Sequence, residues 1–232
     1  MKVLAVGAHP DDVELGCGGA LLHHVAAGDQ VRMLVMTPGE QGPQGVQSRV
    51  REQEVAARVL GAELVWGDFH DGDIPDGRES VSFVDAVVDQ TGADIVYVHA
   101  PNDTHQDHVA TSRAVLAASR RLTRVLYYQS PSTTAFDPTV FVDVEATLAG
   151  KLDAIRAHWS QVMQCPMVDT EAIEVSARYW GTRAKVSYAE AFETPRFVWD
   201  VARRRPRLAL VADAEDESRS DEVAQVLSLG QS

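Results

Sequence analysis

Near the N-terminus, Ala8-His9-Pro10-Asp11-Asp12 carries one imidazole and two carboxylates, and later His105-Gln106-Asp107-His108 carries two more imidazoles and another carboxylate. Imidazole nitrogen and carboxylate oxygen are suitable donors for a catalytic zinc ion, which takes three protein ligands and leaves one position open. His9 and Asp12, three apart across a turn, can chelate one ion, and His108 would supply the third ligand from the other cluster. A bound metal lowers the pKa of its water to roughly 7. A general base must then lie within hydrogen-bond reach of that water. Asp11, beside a ligand and not needed as one, is the natural base. His105 stands at the expected start of a helix, where it can stabilise an oxyanion or protonate a leaving amine. Asp107 can orient His105 as a supporting carboxylate. These residue types at this spacing point to metal-assisted hydrolysis.

Each cluster alone has a plainer explanation. His-Pro-Asp-Asp can be a turn in which Asp11 or Asp12 caps a helix, and His105 and His108 can be surface residues at a helix start. Placement raises the pair above these readings. Apolar β-branched runs predict strands at 3–7, 31–36, 63–66, 94–99, 125–129 and 139–144, with a last one near 197–201. Helices are expected at 13–27, 48–60, 81–90, 107–120, 145–163 and 170–181. Gly16, Gly18 and Gly19 weaken the first helix but would let its backbone pack close to a sheet. Gly61 stands where a C-terminal glycine ends the second. Residues 38–47, which include Glu40, form a loop and a candidate lid, and 68–77 a second polar loop.

Strands alternating with helices predict an α/β fold, a Rossmann-like doubly wound, mainly parallel sheet in a single domain over 1–211. In the usual order 3-2-1-4-5, strands one and four are neighbours where the winding reverses, and ligands bind beyond their carboxyl ends. Both clusters follow those two strands. Gly16-Cys17-Gly18-Gly19 lies inside the helix, not at the strand-to-helix turn, so it is no dinucleotide fingerprint and a nicotinamide enzyme is disfavoured.

The 232 residues are 45% hydrophobic and 24% charged, with a formal net charge of −13. That charge argues against nucleic acid or an anionic membrane as partner. Arg203-Arg204-Arg205-Pro206-Arg207 is followed by an acidic run, and 212–232 is expected to be an acidic, flexible tail. Cys17 and Cys165 build no disulfide framework, which fits a reduced, cytoplasmic setting. No stretch approaches the roughly 18 apolar residues of a membrane span, and the first apolar run is too short for a signal-peptide core. Cys17 is expected in the core and His23 and His24 on the surface. His70, His99 and His158 receive no ligand role.

At Ala8-His9-Pro10-Asp11-Asp12-Val13-Glu14 and His105-Gln106-Asp107-His108 the chain resembles the PIG-L family of zinc-dependent N-acetylglucosaminyl deacetylases, also called LmbE-like proteins. Weaker matches are Gly39-Glu40, Arg51-Glu52-Gln53-Glu54 with Leu60-Gly61, Asp71-Gly72, His158-Trp159-Ser160-Gln161 and Tyr188-Ala189-Glu190-Ala191-Phe192. The resemblance implies hydrolysis of the acetamide of a small glucosamine-type sugar, releasing acetate and a free amine. It implies Zn²⁺, with Fe²⁺ as the alternative ion, on His9, Asp12 and His108, with Asp11 as base and His105 as electrophilic partner. It also implies sugar contacts from an arginine and an aspartate, for which Arg51 and Asp71 are the best-matching positions, with Glu40 a further candidate. The plainer readings are a helix-surface ion pair of Arg51 with Glu54 or Glu52, and a solvated loop position for Glu40. The chain departs from the family at Gln106, commonly proline. Asn102-Asp103-Thr104 replaces an aromatic that some relatives carry, so no tyrosine-assisted oxyanion contact is expected there. Two rivals stay open: an amidase using the same site on a larger acyl group, and a sugar- or nucleotide-binding module without catalysis. A homo-oligomer is also left open.

Overall fold

Strands that read as continuous apolar runs need cover on both faces. A computed structural model of the chain, which describes residues 1–42, 45–166 and 168–200, shows how this is met. The elements run β1 (Lys2–Gly7), α1 (Asp12–Ala26), β2 (Gln30–Val35), α2 (Val46–Leu60), β3 (Glu63–Trp66), α3 (Arg78–Thr91), β4 (Ile95–His99) and α4 (Gln106–Ala118). Then follow β5 (Arg124–Tyr128), β6 (Val140–Asp143), α5 (Leu148–Arg156), α6 (Trp159–Gln164), α7 (Thr170–Ala184) and β7 (Ala189–Phe197). The sheet order is β3-β2-β1-β4-β5-β7-β6. The first five strands are parallel, and β7 runs antiparallel to both β5 and β6.

Alternation along each strand divides the core. On one face Leu4, Val6, Val96 and Val98 pack against Val84, Val88, Ala114 and Val115 of α3 and α4. On the other, Val3, Ala5, Ile95 and Tyr97 pack against Val13, Leu21, Leu60 and Ala154 of α1, α2 and α5. The period of two in a strand sends neighbouring residues to opposite layers. The glycines of α1 do what their positions suggest: a Cβ on Gly16 would lie 2.1 Å from Cδ2 of Tyr128, whose hydroxyl donates to the Val6 carbonyl at 2.7 Å. The helix kinks at Cys17 (φ −146°), between Gly16 and Gly18.

Two expectations are corrected. The last strand is not near 197–201 but is β7, Ala189–Phe197; Val201 lies outside the described residues. Pro195 hides this strand in the sequence. A register shift opposite Val125 and Tyr127 accommodates Pro195, where a missing amide hydrogen breaks no ladder bond. The helix expected over 145–163 is two, α5 and α6, separated at Ala157 and His158, where His158 leaves helical geometry (ψ 56°). The residues to Val198 form one compact unit; a second, from Trp199, lies almost wholly outside the described residues, as does the expected acidic tail. Among the described residues no helix is long and apolar enough to cross a membrane.

Candidate active site

β1 and β4 are hydrogen-bonded neighbours, with Val3 opposite Ile95 and Ala5 opposite Tyr97. Their carboxyl ends at Gly7 and His99 therefore deliver the two clusters to one edge of the sheet. A cavity of about 320 Å³ opens there, lined among others by His9, Asp11, Asp12, Arg49, Asp71, His105 and His108. That volume suits a small molecule.

His9, Asp12 and His108 meet at this cavity. His9 Nδ1 is 3.5 Å from Asp12 Oδ2, and His108 Nε2 is 3.4 Å from Asp12 Oδ1. The ring nitrogens of His9, His105 and His108 form a group within 4.8 Å of one another. The far nitrogen of each proposed ligand is backed by a carboxylate: His9 Nε2 lies 3.0 Å from Asp107 and 3.1 Å from Asp71, and His108 Nδ1 lies 3.2 Å from Asp103. Such backing fixes ring orientation and raises ligand basicity. Burial pulls both rings down, but it is outweighed. Asp107, Asp12 and Asp71 hold His9 well above the ordinary histidine value, and Asp12 with Asp103 lifts His108 to about 9. Asp12 is held well below the carboxylate range, despite burial, by His108 and His99. His9 and His108, grouped with His105, could hold a divalent cation, which would take the place of the protons these rings carry, and Asp12 meets His9 through Oδ2 and His108 through Oδ1.

Asp11 lines the same cavity but points to Arg49, whose Nη2 is 3.7 Å from Asp11 Oδ2. Burial, resisted by Arg49, raises the Asp11 carboxyl to about 6. His105 caps α4, its Nδ1 accepting from the Asp107 amide at 3.2 Å, which leaves Nε2 to carry the ring proton. Burial, with His9 and His108 nearby, lowers the pKa of His105 and keeps it neutral.

Three expected roles are placed differently. The Asp107 carboxylate does not orient His105. It contacts His9 and accepts from the amides of Gly72 and Ile74 at 2.7 and 3.2 Å. Its backbone, not its carboxylate, meets His105. Arg51 is exposed on α2, whereas Arg49 is buried at the cavity; two helical positions are some 200° apart, so only one of the pair can face inward. Glu40 stands behind the wall. Its Oε1 accepts from the Asp71 amide at 2.9 Å and lies 3.2 Å from His70. Asp71 itself lines the cavity.

Other residues emerge only here. His99 is fully buried beneath the site, stacked on His108 at 3.9 Å between ring centroids, with Nε2 3.1 Å from Asp12. Burial and the charge of His108 press its pKa down to about 4. Asp12, His99 and His108 also form a group that could hold an ion, but His99 does not line the cavity and a catalytic ion needs an open side. Asp103 stands two positions before His105, a spacing that could have marked it. Glu14 and His158 are fully buried, 3.3 Å apart. Both cysteines are free; Cys17 is in the core and Cys165 at the cavity wall. His24 is half-buried, between Asp29 and Tyr97.

The chain is similar to known proteins in sequence and in fold. The model of the PIG-L family, GlcNAc-PI de-N-acetylase, matches residues 4–119. YaiS, an uncharacterized deacetylase of Escherichia coli (strain K12), is 35% identical over 167 residues, 68% of this chain and 90% of its own. Diacetylchitobiose deacetylase of Thermococcus kodakarensis is 28% identical, over 85% of this chain and 83% of its own. The crystal structure of the conserved protein TT1542 from Thermus thermophilus superposes with a TM-score of 0.79 at 31% identity. It covers 89% of this chain and 100% of that one.

Proposed function

The chain belongs to the PIG-L family of de-N-acetylases, and from that premise we propose that it is a zinc-dependent N-deacetylase of a small N-acetylglucosamine-type amino sugar or its conjugate. The observation that carries this reading is the meeting of His9, Asp12 and His108, with Asp11 and His105, around one cavity. A zinc ion held by His9, Asp12 and His108 would polarise the amide carbonyl and acidify the attacking water. Asp11 takes a proton from that water as it attacks; a carboxyl poised near neutrality suits the exchange in both directions. His105, neutral and protonated at Nε2, donates a hydrogen bond to the developing oxyanion. The proton on Asp11 then passes to the amide nitrogen as the C–N bond breaks, releasing the free amine and acetic acid, which ionises to acetate in water. Asp71, Arg49, Gln41 and Ser132 of the cavity wall offer partners for sugar hydroxyl groups.

The test is release of free amine and acetate from N-acetylglucosamine and N,N′-diacetylchitobiose by zinc-loaded and chelator-treated protein. Zinc-dependent release is expected. Asp11→Asn should keep its zinc and lose about 10²- to 10⁴-fold in kcat. An Asp11→Asn protein as fast as wild type would refute the base assignment, and a chelated protein still fully active would refute the metal.

A further inference from the structure

Asp11 has φ 92° and ψ −25° and, with Lys185, is one of two non-glycine residues at positive φ among the described residues. Such a backbone is strained and persists only where its surroundings impose it. The imposition comes from α2. Arg49 Nη2 donates to the Pro10 carbonyl at 2.7 Å, and Gln53 Oε1 accepts from the Asp11 amide at 3.2 Å. These are the two polar ends of one peptide plane, the one that enters Asp11. Arg49 and Gln53 are one helical turn apart and so share a face.

The Gln53 amide cannot be turned round. Its Nε2 donates to Glu14 Oε1 at 2.7 Å. A carboxylate can only accept and the Asp11 N–H can only donate, so the oxygen must face Asp11. Gln53 and Glu14 are both fully buried and neither lines the cavity. Neither can touch substrate.

We propose that Gln53, oriented by Glu14, is a positioning residue that fixes the peptide plane of Asp11 and so aims its carboxylate at the reacting water. The inference rests on Asp11 being the base. Gln53→Met keeps the volume and removes the acceptor. The exchange Glu14→Gln with Gln53→Glu keeps one amide facing one carboxylate, and keeps an oxygen facing the Asp11 amide, with no added buried charge. kcat, KM, bound zinc and melting temperature are measured for both, for Asp11→Asn, and for Asp11→Asn combined with Gln53→Met. Substrate is the N-acetylglucosamine compound that wild type turns over fastest.

Gln53→Met should lose about 10²-fold in kcat, the scale of a 1 Å misplacement, at unchanged KM and zinc content. The exchange should regain most of that loss whatever its melting temperature, which a merely structural role would not predict. On the Asp11→Asn background, Gln53→Met should cost nothing further. A Gln53→Met protein with wild-type kcat overturns the inference. So does a folded, zinc-bound exchange variant no faster than Gln53→Met, or an added loss on the Asp11→Asn background. An Asp11→Asn protein with wild-type activity instead fells the base assignment itself.

Discussion

Burial and Arg49 pull the Asp11 carboxyl in opposite directions, and burial wins by enough to bring it to about 6. Arg49 therefore has two tasks, moderating that charge and holding the Pro10 carbonyl. Arg49→Met should lower kcat/KM by about 10²-fold, because the carboxylate and the peptide are both released. Arg51→Met, on the exposed side of the same helix, should stay within about twofold, as surface substitutions do. Steady-state kinetics of the two variants side by side checks this, and equal losses would return the pocket arginine to position 51. The family resemblance pointed to Arg51 because matching a motif along the chain carries no helix phase, and a two-residue slip turns the side chain to the opposite face.

Helix α1 packs close to the sheet at Gly16, where it has no side chain. The ring of Tyr128 occupies the place of a Cβ there, and Tyr128 is itself tied to Val6 of β1, the strand that delivers His9. Gly16→Ala should destabilise by at least the 1–3 kcal/mol of overpacking, a fall of roughly 2–4 °C in melting temperature per kcal/mol for a chain of this size. Thermal denaturation measures it, and an unchanged melting temperature would show that α1 can shift without cost. The loops also act as elements. The loop after β2 is tied to the one after β3 by Glu40 on the Asp71 amide and by the Gln41 amide on the Asp71 carboxylate, at 3.1 Å. Asp71, one of the two carboxylates that back His9, is thus placed by a loop from elsewhere in the chain.

The three proposed metal ligands come from the loop after β1 and the first turns of α1 and α4, and would be joined by one ion. An ion bound only by the folded chain stabilises it by about 2.7 kcal/mol at a hundredfold excess over Kd. Zinc should therefore raise the melting temperature by several degrees. A chelator should reverse this, and His108→Ala should abolish the response. Differential scanning calorimetry with and without zinc decides it; no shift in wild type would remove His9, Asp12 and His108 as a metal site. The neighbouring cavity, about 260 Å³ and lined by Lys151, Glu190 and Trp180 among others, does not compete for this role. Its charges already meet each other at 2.6 Å, and the carboxylate also accepts from the amides of Gly19 and Ala20.

By itself the sequence determined the order and type of nearly all the elements, the doubly wound sheet and the edge at which the two clusters meet. These follow from local periodicity and from the handedness of crossovers, both written along the chain. The pairing of His9, Asp12 and His108 was legible for the same reason, since β1 and β4 must be neighbours at the reversal. Tertiary structure alone decided what stands behind them: Asp103 on His108, Asp107 and Asp71 on His9, His99 beneath Asp12, and Gln53 and Arg49 on the peptide before Asp11. Each of these is a contact of a few ångströms between residues far apart in the chain or turned by helix phase, and no local pattern encodes such distances. The strand that runs through Pro195 was hidden likewise, because only its partner β5 shows that the proline sits where no hydrogen bond is missed.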